Sequence, residues 1–185
     1  MANTKFLLAG RPGVGKTTVA KRLVELLRAG GVEPRGFVAG ELREFGRRVG
    51  FAVETFAGES AVLAHVDRPG PPRVGRYGVD VEAFERLALP ALDRIAEGDI
   101  VVIDELGKME LASEPFCSAV SALFDRSVPV VATVGRHPFT DALKTRAGVK
   151  RVTVTTSNRD ELPTRLAERL SADGDRPRRR RRRKR

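Results

Sequence analysis

The chain has 185 residues, of which 41% are hydrophobic and 31% charged, a composition typical of one soluble globular domain. Nine of its 34 basic residues lie in the last ten positions, 176–185, so the formal charge of +10 belongs mainly to that end. The nearly neutral remainder does not indicate a nucleic-acid-binding domain. No apolar run suits a transmembrane helix or a signal peptide, and Cys117 is the single cysteine, which together predict a cytoplasmic protein.

Short apolar runs alternate with longer amphipathic segments, which predicts an α/β fold of three layers with helices on both faces of a mostly parallel sheet. In chain order we expect a strand at 5–9, a helix at 16–29, an antiparallel hairpin within 36–55, a loop at 63–78, a helix at 81–96 kinked at Pro90, a strand at 100–104, a helix at 115–124, a strand at 128–134, a short helix at 140–147, a strand at 151–155 and a helix at 160–170.

One domain is expected to cover residues 1–171. Residues 172–185 are polar and then almost pure arginine, which cannot bury enough apolar surface to order itself, so we predict a disordered tail.

The segment GRPGVGKT at 10–17 matches the phosphate-loop pattern G-x-x-x-x-G-K-[ST] and lies between a predicted strand and a predicted helix. Glycines let the backbone curl so that its N–H groups face phosphate oxygens, and the helix dipole adds positive potential. Lys16 can reach the β- and γ-phosphates as a catalytic residue, and the Thr17 hydroxyl can ligate Mg²⁺. The nucleotide-binding residues predicted in this segment are Gly10, Arg11, Pro12, Gly13, Val14, Gly15, Lys16, Thr17 and Thr18.

Two carboxylates, Asp104 and Glu105, follow the apolar run 100–103. Acids often stand where a strand leaves the core, so this pair alone would be weak evidence of a site. A phosphate loop is present, and ligands of open α/β sheets bind at the carboxyl ends of strands. Together these two facts favour a functional role for the pair. Asp104 is predicted to hold Mg²⁺ beside Thr17, and Glu105 to orient and polarise an attacking water.

With both motifs in place, the chain resembles the cancer-related nucleoside-triphosphatase family, which also has members from thermophiles. The resemblance covers about residues 4–170. It rests on the blocks GRPGVGKTT, GELREFGRRVGFAVET, RVGRYGVDVEAFERLALP and VVIDELGKMEL and on the late pair Asn158-Arg159. It implies a RecA-like P-loop fold and Mg²⁺-dependent hydrolysis of nucleoside triphosphates with little base preference. By matching position it implies Asp104 as the magnesium carboxylate and Glu105 as the water-activating residue. A second nucleotide-contacting stretch is implied at Ile100, Val101, Val102, Ile103, Asp104, Glu105, Leu106, Gly107 and Lys108.

For each of the remaining candidate residues, the sequence allows a functional role or a purely structural one. Arg43, Arg47 and Arg48 flank the hairpin turn and could stabilise a leaving phosphate, or they could be surface charges. Lys108 could contact phosphate, and with Glu110 it could instead belong to a solvated turn.

Three candidates lie at strand ends. Thr133 could sense the γ-phosphate or hold the attacking water, or it could be an ordinary strand residue. Asn158 and Arg159 could touch the base or ribose, or they could form the turn before the last helix.

Two alternatives to a hydrolase stay open at this point. The same loop could serve a small nucleotide or metabolite kinase with 67–77 as a lid, or a nucleotide-dependent switch associated with nucleic acid. The arginine-rich tail predicts sequence-blind, salt-sensitive polyanion binding. We expect a monomer without a membrane partner.

Overall fold

A computed structural model describes residues 4–174, with side chains to Ser171. Its helices and strands, in chain order, are β1 (Lys5–Ala9), α1 (Lys16–Ala29), β2 (Arg35–Glu44), β3 (Arg47–Thr55), β4 (Ser60–His65), β5 (Arg73–Val74), β6 (Tyr77–Val79), α2 (Val81–Leu92), β7 (Val101–Leu106), a 3₁₀ turn (Glu110–Ala112), α3 (Glu114–Asp125), β8 (Val130–Val134), α4 (Pro138–Lys144), β9 (Val149–Thr153) and α5 (Leu162–Gly174). Within residues 4–174, no helix is both long and apolar enough to cross a membrane.

All nine strands join one sheet in the order β5-β6-β4-β3-β2-β7-β8-β1-β9. The five strands from β2 to β9 pair in parallel, and β8 lies between β1 and β7. This is the arrangement expected of the RecA-like fold that the family resemblance implies, and it confirms the expected α/β class. Because parallel strands end at the same edge, the loops after β1, β7 and β8 meet there.

The parallel strands are buried on both faces, as their β-branched sequences predict. Side chains alternate across the sheet, so Phe6 and Leu8 pack with α1 and α5, whereas Leu7 packs with α2 and α3 on the opposite face. The same alternation places Val102 on the face of Phe6 and Leu8, and Ile103 on the face of Leu7. The sheet therefore has a helix layer on each side.

The other four strands are antiparallel and extend the sheet beyond the expected hairpin. The hairpin itself is confirmed, with its turn at Phe45–Gly46 between β2 and β3. The prediction of a loop over 63–78 is wrong, since that range contains the end of β4 and all of β5 and β6. These short strands form because they pair with segments distant in the sequence, such as Ala64 with Val79. The local composition is rich in Pro and Gly and therefore predicts a loop.

Other predicted boundaries need correction: α4 covers Pro138–Lys144 rather than 140–147, β9 covers Val149–Thr153 rather than 151–155, and the ends of α2 and β7 also differ. Helix α2 ends at Leu92 rather than 96, because Pro90 lies in its last turn and Arg94 takes a left-handed φ of 51°. Strand β7 runs two residues further than expected, to Leu106, so that Glu105 lies within the strand. The arginine-rich residues 175–185 lie outside the described part of the chain, and the predicted tail falls almost wholly there.

Candidate functional site

The phosphate loop connects β1 to α1 at the carboxyl edge of the sheet. Gly13 and Gly15 have φ values of 75° and 107°, which L side chains rarely adopt, so the glycines at these positions are required by the backbone. Gly15 is also the N-cap of α1 and has no side chain to occupy the helix's first N–H groups. Those groups and the helix dipole are therefore available to an anion. Lys16 Nζ lies back across the loop and donates to the Gly10 carbonyl oxygen at 3.4 Å.

Asp104 lies in the wall of the site opposite Thr17. Its side chain is on the α1 face of β7, two residues after Val102, and only 1% of the residue is exposed. The Thr133 hydroxyl donates to Asp104 Oδ1 at 2.5 Å, and Thr17 also hydrogen-bonds this carboxyl. Burial raises the pKa of Asp104, while the hydrogen bonds from Thr133 and Thr17 and the charge of Lys16 oppose that rise. The structure thus brings the two predicted metal ligands together.

Thr133 is fully buried at the end of β8, and its backbone pairs with Leu8 of β1. It therefore bridges the strand of the phosphate loop and the strand of the acidic pair. A role for Thr133 toward the γ-phosphate or the attacking water stays a prediction, and Thr133 is a residue of strand β8 whose hydroxyl is the hydrogen-bond partner of Asp104. A signal for this was present, since Thr133 follows Val131 by two residues and so shares its face.

Glu105, the residue after Asp104, lies against two glycines. A Cβ on Gly107 would fall 2.7 Å from Glu105 Oε1, and one on Gly135 would fall 3.5 Å from the same atom. Burial raises the pKa of the Glu105 carboxyl; the charge of Lys16 lowers it and that of Asp104 raises it further. Glu105 is therefore a partly buried carboxylate within electrostatic reach of the phosphate-loop lysine, as a group that polarises water requires.

The apolar residues before the acidic pair do not face the site. Ile100 and Val102 pack with α1 and α5, and Val101 and Ile103 pack with α2 and α3. Their side chains act through packing, because two buried faces fix where β7 ends.

In the turn after β7, Lys108 and Glu110 differ in exposure, although the sequence allows the same solvated-turn alternative for both. Lys108 is exposed, in keeping with either expectation for it. Glu110 is 4% exposed and accepts a hydrogen bond from the Gly107 N–H, so the expectation of a solvated turn is wrong for this residue.

Arg159 lies against the phosphate loop. Its Nη1 donates to the Val14 carbonyl oxygen at 3.3 Å, and its Cδ would be 3.3 Å from a Cβ on Gly15. Asn158 instead closes the turn after β9, accepting from the Thr155 N–H and donating to the Thr153 carbonyl oxygen, each at 2.9 Å. The structure thus joins Arg159, but not the Asn158 side chain, to the predicted site.

The hairpin arginines are held elsewhere. Arg43 and Arg48 both pair with Glu41, and Arg48 Nε also donates to the Tyr77 hydroxyl at 3.0 Å. Arg47 is exposed at the start of β3. Val38 of β2 pairs with Asp104, and six more residues of β2 follow it, so the hairpin turn lies about 20 Å beyond the level of Asp104.

The residues at this edge fit Mg²⁺. A hydroxyl and a carboxylate form an oxygen donor pair of the kind that this ion prefers, and the buried Asp104 charge gains from a nearby cation. Thr17 and Asp104 would hold the ion. Together with the loop's N–H groups, the arrangement can bind a magnesium–polyphosphate and expose it to Glu105.

Comparisons with known proteins agree with this geometry. The model of a family described as NTPase matches residues 5–167. The chain is 42% identical over 161 residues to nucleoside-triphosphatase THEP1 of Thermotoga sp. (strain RQ2), with 85% of this chain and 90% of that protein covered. It is 43% identical over 178 residues to nucleoside-triphosphatase THEP1 of Thermofilum pendens, with 93% and 98% covered.

Two solved structures share the fold. The crystal structure of THEP1 from the hyperthermophile Aquifex aeolicus has a TM-score of 0.81 and 34% identity, covering 90% of this chain and 99% of that one. The solution structure of a human cancer-related nucleoside triphosphatase has a TM-score of 0.81 and 35% identity, covering 94% and 100%. The phosphate loop, the acidic pair and these matches agree, and the chain belongs to the NTPase family, which includes the nucleoside-triphosphatases THEP1.

Proposed function

We propose that this chain hydrolyses nucleoside 5'-triphosphates to the diphosphate and phosphate, with Mg²⁺ as cofactor and Glu105 as the residue that activates water. The observation that carries the proposal is that the two carboxylates at the end of β7 have different neighbours. Asp104 faces Thr17 of the phosphate loop, whereas the next residue, Glu105, lies against Gly107 and Gly135. One carboxylate is thereby committed to the metal position, and a second is left to handle a proton.

The chain's own groups account for the remaining steps. Backbone N–H groups of the loop and the start of α1 hold the β- and γ-phosphates, and Lys16 turns from the Gly10 carbonyl oxygen to the phosphates. Glu105 accepts a hydrogen bond from water as the water oxygen attacks the γ-phosphorus and the bond to the β-phosphate oxygen breaks. Thr17 and Asp104 would hold Mg²⁺, which when bound would supply charge neutralisation at the phosphate oxygens.

Broad base specificity follows from what borders the loop. Asn158 could read a base edge, but its amide is already bonded to Thr155 N–H and the Thr153 carbonyl oxygen. The guanidinium of Arg159 recognises phosphate, or stacks on any base, without distinguishing one base from another. ATP and GTP are therefore both expected to be substrates.

The test is phosphate release from ATP and from GTP in Mg²⁺ and in EDTA, with Lys16→Ala as the control. We expect hydrolysis of both nucleotides in Mg²⁺, none in EDTA and a loss on the order of 100-fold in Lys16→Ala. Nucleotide binding without phosphate release would contradict the proposal, and phosphate transfer to an added acceptor would favour the kinase alternative.

A separate proposal concerns the nine basic residues within 176–185, which we expect to bind polyanions by counterion release. A chain ending at Gly174 keeps all of α5 and removes these residues. Retention of the full chain on single-stranded DNA should fall as salt rises, and the shortened chain should not be retained. Equal retention of both chains would contradict the proposal. A monomeric state and a cytoplasmic location stay predictions from the sequence.

A further inference from the structure

Glu110 is a buried acid beside the site that the proposed mechanism does not use. It begins the 3₁₀ turn that follows β7, and only 4% of the residue is exposed. A carboxyl group in such a position costs stability unless its oxygens are hydrogen-bonded and its charge is removed. The group therefore needs an explanation beyond packing.

The Glu110 carboxyl fixes the position of Gly107. Its Oε2 accepts from the Gly107 N–H at 3.2 Å, while the Gly107 carbonyl oxygen accepts from the Leu111 N–H at 2.9 Å. Both polar groups of Gly107 are thus bound to the 3₁₀ turn. One residue before, the Leu106 carbonyl oxygen accepts from Gly135 N–H at 3.2 Å, which ties the same segment to the end of β8.

Gly107 is in turn the surface on which Glu105 lies. A Cβ on Gly107 would fall 2.7 Å from Glu105 Oε1 and 2.9 Å from Glu110 Oε2. The two carboxyl oxygens are therefore no farther apart than 5.6 Å, the sum of these distances. Both carboxyl oxygens thus lie on the side of Gly107 where a side chain would be, so Glu105 fits beside Glu110 only because residue 107 is a glycine.

The charge state of Glu110 suits this arrangement. Burial raises its pKa to about 8, with the nearby charges of Glu105 and Asp104 adding to the effect and hydrogen bonds from its own N–H and that of Gly107 opposing it. Near pH 7 the group is mostly neutral, so it can hold Gly107 without repelling the carboxylate beside it.

We infer that Glu110 is a positioning residue for the proposed triphosphatase reaction, whose buried carboxyl holds Gly107 and thereby sets the orientation of Glu105 toward the attacking water. The inference rests on the proposed function, because it assigns Glu110 a task through Glu105. In this proposal Glu110 acts through Gly107 and Glu105 rather than on the substrate.

The test compares two substitutions of Glu110 in the full-length chain. Glu110→Gln keeps an oxygen that accepts from the Gly107 N–H, so kcat should stay within about threefold of wild type. Glu110→Leu fills similar volume without an acceptor, so kcat should fall at least about tenfold while the KM for ATP stays within about threefold. A melting temperature for each variant separates loss of turnover from loss of fold. Wild-type kcat in Glu110→Leu, or equal losses in both variants, would overturn the inference.

A double substitution tests whether the effect passes through Glu105. Adding Glu110→Leu to Glu105→Gln should cause no further loss of turnover, whereas independent roles would multiply the two losses. If Glu110→Leu does not fold, Gly107→Ala reaches the same contact, since its Cβ would displace the Glu105 carboxyl. Wild-type kcat in Gly107→Ala would then overturn the inference. A wild-type protein that does not hydrolyse ATP would contradict the proposed function itself, which separates the two failures.

Discussion

The two halves of the sheet treat charged residues in opposite ways. In the parallel half, Asp104 and Glu110 are buried at the carboxyl edge, and burial raises the pKa of each. On the hairpin, where the outer part of β2 pairs only with the antiparallel strand β3, Glu41 lies at the surface and hydrogen bonds from Arg48 and Arg43 lower its pKa. Exposed pairs of this kind contribute little to stability, but they also cost little.

This difference indicates which half carries the chemistry. Burial disfavours the ionised form of a carboxyl group and so adds nothing to the stability of the fold. Buried carboxyl groups are therefore kept where a cation or a proton transfer needs them. The antiparallel half has its arginines arranged as a surface network, with Arg48 between Glu41 and Tyr77. We therefore expect substitutions in the parallel half to alter turnover and substitutions in the hairpin to leave it nearly unchanged.

The largest expected effect is on stability. Burial raises the folded-state pKa of Glu110 to about 8, whereas in the unfolded chain this carboxyl has its ordinary pKa. Below the ordinary pKa both states hold the proton, and the contribution of Glu110 to stability is largest there. Between about pH 4.5 and pH 8 the folded chain holds a proton that the unfolded chain has lost, so stability falls as pH rises. Glu110→Gln should remove this decline, gaining up to a few kcal/mol over wild type from pH 5 to pH 8.

Urea unfolding at several pH values measures it, with Glu97→Gln as an exposed control. Parallel pH profiles for wild type and Glu110→Gln would show that Glu110 is not buried as described.

The next effect concerns the magnesium position. Asp104→Asn keeps an oxygen that can accept from Thr133, but it removes the charge opposite Thr17. Turnover should fall on the order of 100-fold, with more Mg²⁺ needed for half-maximal rate. Without Mg²⁺ the variant should melt at a higher temperature than wild type, since a buried charge is gone. Unchanged Mg²⁺ dependence would remove Asp104 from the metal site.

A smaller effect is expected at Arg159, which lies against Val14 and Gly15 of the phosphate loop. Loss of one cationic contact to the nucleotide should weaken its affinity about tenfold. Equilibrium titration with a non-hydrolysable triphosphate measures this, and the exposed Arg165 on α5 provides the matched Ala variant. Equal affinities for Arg159→Ala and Arg165→Ala would leave Arg159 with a structural role alone.

The smallest effects should come from the hairpin. Arg47→Ala and Arg48→Ala are each expected to change kcat by less than about twofold, and loss of the exposed Arg48–Glu41 pair should cost less than about 1 kcal/mol of stability. Steady-state kinetics and thermal unfolding measure both quantities. A loss of turnover of tenfold or more in either variant would mean that the hairpin reaches the phosphates, and the contrast between the two halves would fail.

The sequence predicts the parallel half better than the antiparallel half for a physical reason. The phosphate loop and the run before Asp104 are local patterns, and their chemistry requires fixed spacing, so strand, turn and helix could be placed closely. Strands β4 to β6 depend on partners far along the chain, and Pro and Gly between them favour a loop by local rules.

Within the site, the pairing of Thr133 with Asp104 needed the strand order, since β8 had to be known as the neighbour of β7. Glu110 was hidden by its surroundings in the sequence, because a lysine and a glutamate in a turn are typical of a solvated surface. The burial of Glu110 comes from tertiary contacts, and the local sequence of such a short segment does not predict it.

The most direct test of the account is to measure ATP binding and single-turnover hydrolysis together in wild type and Glu105→Gln. Since Asp104, Thr17 and Lys16 remain in place, the variant should bind Mg²⁺–ATP within about threefold of wild type while hydrolysing it about 1,000-fold more slowly. That result would establish Glu105 as the group that activates water. Hydrolysis by Glu105→Gln at the wild-type rate would contradict the account and require another base.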